Sequence, residues 1–149
     1  MSAALDNLVT TGQLKREPTS RKQIAGFLAA AAASPADAQV PALSSNGRFK
    51  HAYDAAHALA LVALRANGYR PERPLGHRAI VFQSLAHTIV ADRRPWSTLD
   101  RYHAKRNRCE YVGIANATDA EARDLLALAS ELHAAFLEWL KKHHPSLMP

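Results

Sequence analysis

Cysteine is almost missing from this chain of 149 residues: Cys109 stands alone, which excludes an intrachain disulfide and suits a reducing compartment. Glycine is scarce, at six residues, and no Walker loop, Rossmann fingerprint or GxSxG elbow can be assembled from them. No apolar run is long enough to span a bilayer, so no membrane association is expected. Met1 to Thr11 carries Asp6 and lacks the basic start, apolar core and cleavage site of a secretory leader, and the expected location is cytoplasmic. The eight histidines lack any HExxH or Cys-x-x-Cys context. His51 and His57 are six apart, on opposite sides of a helix, and the adjacent His143 and His144 do not converge, so neither a metal site nor a cofactor is expected.

What is present is positive charge, and it is unevenly placed. The formal net charge is +6. Ten lysines and arginines fall between Arg65 and Arg108 against Glu72, Asp92 and Asp100, so the middle of the chain carries the excess and the remainder is near neutral. Such a zone attracts phosphate, RNA or an acidic protein, although a solvated helix face has a similar composition.

Apolar residues recur at helical spacing, and no strand-length alternation exists. The predicted fold is all-α, an antiparallel four- to five-helix up-down bundle with a short N-terminal helix, in one domain over 1–149. The first helix covers Ala3 to Thr11 and stops at Gly12. Ser20 to Gln23 has the pattern of a capping box before Ile24, and Pro35 either kinks the helix that follows or starts a second segment. Leu43 to Gly47 reads as a loop. Phe49, Ala52, Tyr53, Ala56, Leu59, Ala60, Ala63 and Leu64 form one helical stripe that Asn67-Gly68 ends, and Tyr69 to Pro74 suits an ordered loop. Further helices are predicted from His77 to Val90 and, with Pro95 in the first turn, through Leu99 to Tyr111. Thr118 to Glu121 is a second capping box, and the last helix buries Leu125, Ala129, Leu132, Phe136 and Leu140 before Pro145. Trp96 and Trp139 are most simply core or interface anchors.

One residue conflicts with this pattern. Arg106 shares a helix face with Leu99, Tyr102 and Cys109. A guanidinium on an apolar face needs a carboxylate, a subunit interface or a cleft that receives an anion; otherwise its stem covers apolar surface while the head reaches water. Cys109 has basic neighbours in Lys105 and Arg108, yet its face makes it a small core residue.

In order along the chain stand Gly12-Gln13-Leu14, Ala52-Tyr53-Asp54-Ala55-Ala56, Asn67-Gly68-Tyr69-Arg70, Gly76-His77, and Arg106-Asn107 with Glu110-Tyr111. This layout, over roughly residues 5 to 142, resembles the HEPN proteins (higher eukaryote and prokaryote nucleotide-binding). The resemblance implies a helical bundle that pairs as a homodimer, often beside a minimal nucleotidyltransferase in a toxin-antitoxin module. Active members are metal-independent ribonucleases with an arginine, commonly followed by asparagine, and a histidine four to six residues further on. Arg106 and Asn107 match the first half of that motif, but Tyr111 stands where the histidine belongs.

The departure has a chemical consequence. Metal-free RNA cleavage must activate the ribose 2′-hydroxyl and stabilise an anionic transition state, and an arginine serves only the second need. Tyrosine, with a pKa of about 10, is a poor base at neutral pH. His103 lies one turn before Arg106 on a neighbouring face and could substitute, although a histidine on a charged helix is more often solvated. The candidate catalytic residues are therefore Arg106, Asn107, Tyr111 and His103. Arg101, Lys105, Arg108, His77 and Arg78 are candidates for binding phosphate or nucleic acid, with His77 more simply read as capping its helix. The expected function is that of a non-catalytic or degenerate HEPN-like binding protein, partnered by itself, by a nucleotidyltransferase-type protein and by RNA or a nucleotide. The alternatives are a metal-independent ribonuclease using Arg106 with His103 or Tyr111, and a nucleotide or nucleic-acid binder without chemistry.

Overall fold

The computed structural model describes residues 3–38, 40, 42–72, 78–88, 94–107 and 117–149. They form an all-α helical bundle with one small two-stranded ladder. Among them, no helix is long and apolar enough to cross a membrane.

Helix α1 spans Ala3–Thr10 and ends at Gly12, whose φ of +79° is natural only to glycine. Strand β1 (Leu14–Arg16) follows, and then α2 (Arg21–Ala38), which passes through Pro35 as one element. Half of the expected capping box at its start is present: Ser20 Oγ accepts from the Gln23 amide at 3.1 Å. The glutamine side chain instead accepts from the Thr19 hydroxyl, at 2.6 Å.

Helix α3 (Ser45–Ala66) begins earlier than its apolar stripe suggests, because Ser44 accepts from the Gly47 amide and caps it. Gly68, at φ +89°, supplies the left-handed stop, and the chain enters β2 (Tyr69–Pro71) in place of the expected loop. β2 pairs antiparallel with β1, Lys15 opposite Arg70. Of the helix expected over His77 to Val90, the described residues form two short ones, α4 (Arg78–Gln83) and α5 (Leu85–Thr88), while His77, Ile89 and Val90 lie outside the described residues. At the break, the buried Ser84 hydroxyl donates to the Val81 carbonyl at 2.7 Å, a local bond that competes with the helical ladder. Helix α6 covers Arg94–Asn107 with Pro95 in its first turn. Helix α7 (Asp119–His143) opens on the complete Thr118–Glu121 capping box, and Pro145–Leu147 closes the fold in a 3-10 turn.

Contacts at the helix ends give the directions. Ser45 bonds Asp119, and Asn46 accepts from the Ala117 amide at 2.6 Å, so α3 and α7 begin together. Arg21 donates to the Ser146 carbonyl at 3.3 Å, which joins the start of α2 to the end of α7, and Arg65 near the end of α3 pairs with Glu17, just before α2. Helix α2 therefore runs opposite to α3 and α7. Helix α3 is the centre, packing on both, and from Ala52 to Ala66 none of its residues is exposed. Its many alanines allow this close approach: Ala52, Ala55, Ala56, Ala60 and Ala63 are each at most 1 % exposed.

Candidate functional site

Helix α6 packs on α3 and α4 through aromatic rings. Tyr102 meets Phe49 edge-on at 5.6 Å, and Tyr53, one turn after Phe49, meets Phe82 of α4 edge-on at 5.5 Å. Leu99 and Tyr102 form the buried stripe of α6, as its spacing predicts. His103, Arg106 and Asn107 continue it half-buried, at the edge of the α3 contact.

His103 and Arg106 converge on Tyr53, which is fully buried, and Asn107 bridges the two. The Arg106 guanidinium carbon lies 5.6 Å from the centre of the Tyr53 ring, so the charge that the sequence places on an apolar face is seated on a π surface. Arg106 Nη1 donates to Asn107 Oδ1 at 3.3 Å. Asn107 Nδ2 lies 3.3 Å from His103 Nε2, and His103 Nδ1 lies 2.8 Å from the Tyr53 hydroxyl. The His103 ring is nearly parallel to Tyr53 and also touches Phe82 edge-on. His103 is thus not the solvated surface histidine that a charged helix suggests: the hydroxyl of Tyr53 across the helix interface draws it inward. Beside it, His57 of α3 packs edge-on against the same Phe82.

The other candidates have different surroundings. Lys105 is 15 % exposed and pairs with Glu121 at 3.5 Å, joining α6 to the start of α7. The Glu121 carboxyl is held below its ordinary range first by the hydrogen bond to the Thr118 amide and then by the charge of Lys105. Arg101 is exposed and lies over the Tyr102 ring at 5.4 Å. His77, Arg108, Cys109 and Tyr111 fall outside the described residues, as do the side chains of Arg78 and Trp96.

Part of the basic stretch serves the fold. Arg65 and Arg70 converge on Glu17 at 2.9 and 2.6 Å. Sequence reasoning overlooked Tyr53 and Phe82 as parts of the site, since each fits its apolar stripe; the only signal was one phenol in an alanine-rich helix. Among the described residues, no group of three His, Cys, Asp or Glu is placed to hold a metal ion.

Fold and site together define a helical-bundle protein with a half-buried Arg-Asn-His group seated on a buried tyrosine between α3 and α6. The chain has no significant match to a protein family, a curated protein or a solved structure.

Proposed function

We propose that the protein is a HEPN-like binding module that takes a phosphate group of RNA or of a nucleotide at Arg106. One observation carries this reading: Arg106 is half-buried, seated on the Tyr53 ring and hydrogen-bonded to Asn107. A ring face engages the plane of a guanidinium, whereas phosphate is recognised by the donors along its edge, so the two contacts are compatible and the seat limits the freedom lost on binding. Both nitrogens of His103 already face protein groups, which supports binding without cleavage, because a general base needs a lone pair within reach of the ribose hydroxyl. In this reading the protein pairs as a homodimer and works beside a nucleotidyltransferase-type partner in a toxin-antitoxin-type module, both on the strength of the resemblance. The cytoplasm is its expected setting.

A second reading is a metal-independent ribonuclease, with Arg106 stabilising the anionic transition state and His103 or Tyr111 as base. It is favoured by the place of His103 in the same hydrogen-bonded group as Arg106.

Fluorescence anisotropy of a labelled RNA 12-mer in EDTA tests the proposal. Arg106→Ala is expected to lose about tenfold or more in affinity, the size of a charged hydrogen bond, and Arg101→Ala less than about twofold. Equal binding by wild type and Arg106→Ala would refute it. Gel analysis of the same mixtures separates the readings: intact RNA agrees with the first, and cleavage abolished by His103→Ala establishes the second.

A further inference from the structure

We propose that Tyr53 is the positioning residue of this site, its hydroxyl holding His103 as the neutral tautomer protonated at Nδ1 while its ring face seats Arg106. The role toward ligand rests on the phosphate-binding reading above; the tautomer does not.

The direction of each bond follows from the one group that has no choice. A guanidinium only donates, so the Asn107 atom at 3.3 Å from Arg106 Nη1 is the carbonyl oxygen. The other end of that amide is then NH2, which also only donates, and it faces His103 Nε2 at 3.3 Å. Nε2 must accept, so it carries no proton. A neutral imidazole has one N–H, and it is therefore on Nδ1, 2.8 Å from the Tyr53 hydroxyl oxygen, which accepts it. The order of donation runs from Arg106 to Asn107 to His103, and from the opposite ring nitrogen to Tyr53. A histidine free in water prefers its proton on Nε2, so the tautomer here is imposed by its neighbours. Turning the ring over would put C–H groups in place of both nitrogens and lose both bonds, and moving its proton would set Nε2–H against the Asn107 NH2. Reversing the amide to relieve that contact would set NH2 against Arg106. Tyr53 thus holds two members of the group by separate means, the hydroxyl for His103 and the ring for Arg106.

Long-range 1H–15N NMR of the histidine rings, on the intact chain at about pH 8, reads the tautomer without any ligand. Wild type is expected to show a protonated Nδ1 and a bare Nε2 at His103; the opposite pattern would overturn the proposal. Tyr53→Phe keeps the ring and removes the acceptor of Nδ1–H, leaving only the Asn107 NH2 to oppose a proton on Nε2, so an Nε2–H population absent from wild type should appear, and RNA affinity should fall by about fivefold, the size of one net hydrogen bond. A proton wholly on Nδ1 in a folded Tyr53→Phe protein would show that Asn107 alone sets the tautomer and would overturn the role given to the hydroxyl. Asn107→Asp gives a second route should Tyr53→Phe not fold: a carboxylate accepts from Nε2–H, so the proton should move to Nε2, and persistence on Nδ1 alone contradicts the donor order. If the tautomer behaves as expected and Arg106→Ala binds RNA as wild type does, the positioning of His103 stands and the phosphate-binding reading fails.

Discussion

Glu17 lies between two guanidinium groups, and its carboxyl is held below the ordinary range first by Arg70 and then by Arg65. Asp6 is lowered in the same way, first by the hydrogen bond from Tyr69 at 2.6 Å and then by Arg16. A carboxylate whose pKa falls on folding adds stability that is present above its unfolded pKa, about 4, and disappears as pH drops through the lower folded value. Stability is therefore expected to decline below about pH 4. Circular-dichroism melts should show a smaller loss of melting temperature on acidification in Asp6→Asn and Glu17→Gln than in wild type, from a lower starting point; parallel curves would show that these pairs do not tie α1 and β1 to the bundle. At this scale the sequence is readable for Arg106, whose charge stands out on an apolar face, and opaque for Tyr53. A buried phenol has the same helical spacing whether its hydroxyl is idle or holds a histidine fifty positions away.

Helix ends were more legible than helix starts without a full box. Thr118-Asp119-Ala120-Glu121 contains both halves of a reciprocal cap, and both bonds form, each at 3.1 Å. Thr118→Ala is expected to cost about 1 kcal/mol in urea denaturation, and the loss of Lys105 pairing should not account for it, since Glu121 remains in place. Gly68 has open space where a Cβ would point, so the cost of Gly68→Ala lies in its φ of +89° alone, about 1 kcal/mol. A Gly68→Ala protein as stable as wild type would show that this stop does not need the left-handed conformation. Strands β1 and β2 were not visible in the sequence because three residues are too few to show alternation. Their pairing comes from the Gly12 and Gly68 turns bringing distant segments together, a tertiary event that local pattern does not encode. Ser84 is another such case: its neighbours Val81, Phe82 and Leu85 continue the helical stripe, and only the hydroxyl bond to Val81 shows why the helix breaks there.

Among the described residues, α3 is the central element. It is covered by α2 and α7 along its length and meets α4 and α6 through Tyr53 and Phe49, so the candidate site is built on the most buried element rather than on a loop. The helical bundle was legible in the sequence because the long stripes of α3 and α7 are regular; the site was legible only in part, because its geometry depends on how α6 docks. The proposed homodimer has its own test: sedimentation velocity at tens of micromolar should give about twice the 16.3 kDa chain mass, and a monomer would remove subunit pairing from the account. Phosphate binding by Arg106 and its neighbours is read by titrating a metal-free RNA 12-mer into isotope-labelled protein and following side-chain resonances. The largest shifts are expected at the Arg106 guanidinium, the Asn107 amide and the His103 ring, weakening as salt rises. Shifts confined to the exposed Lys141 and Lys142, with Arg106 and His103 unmoved, would contradict it.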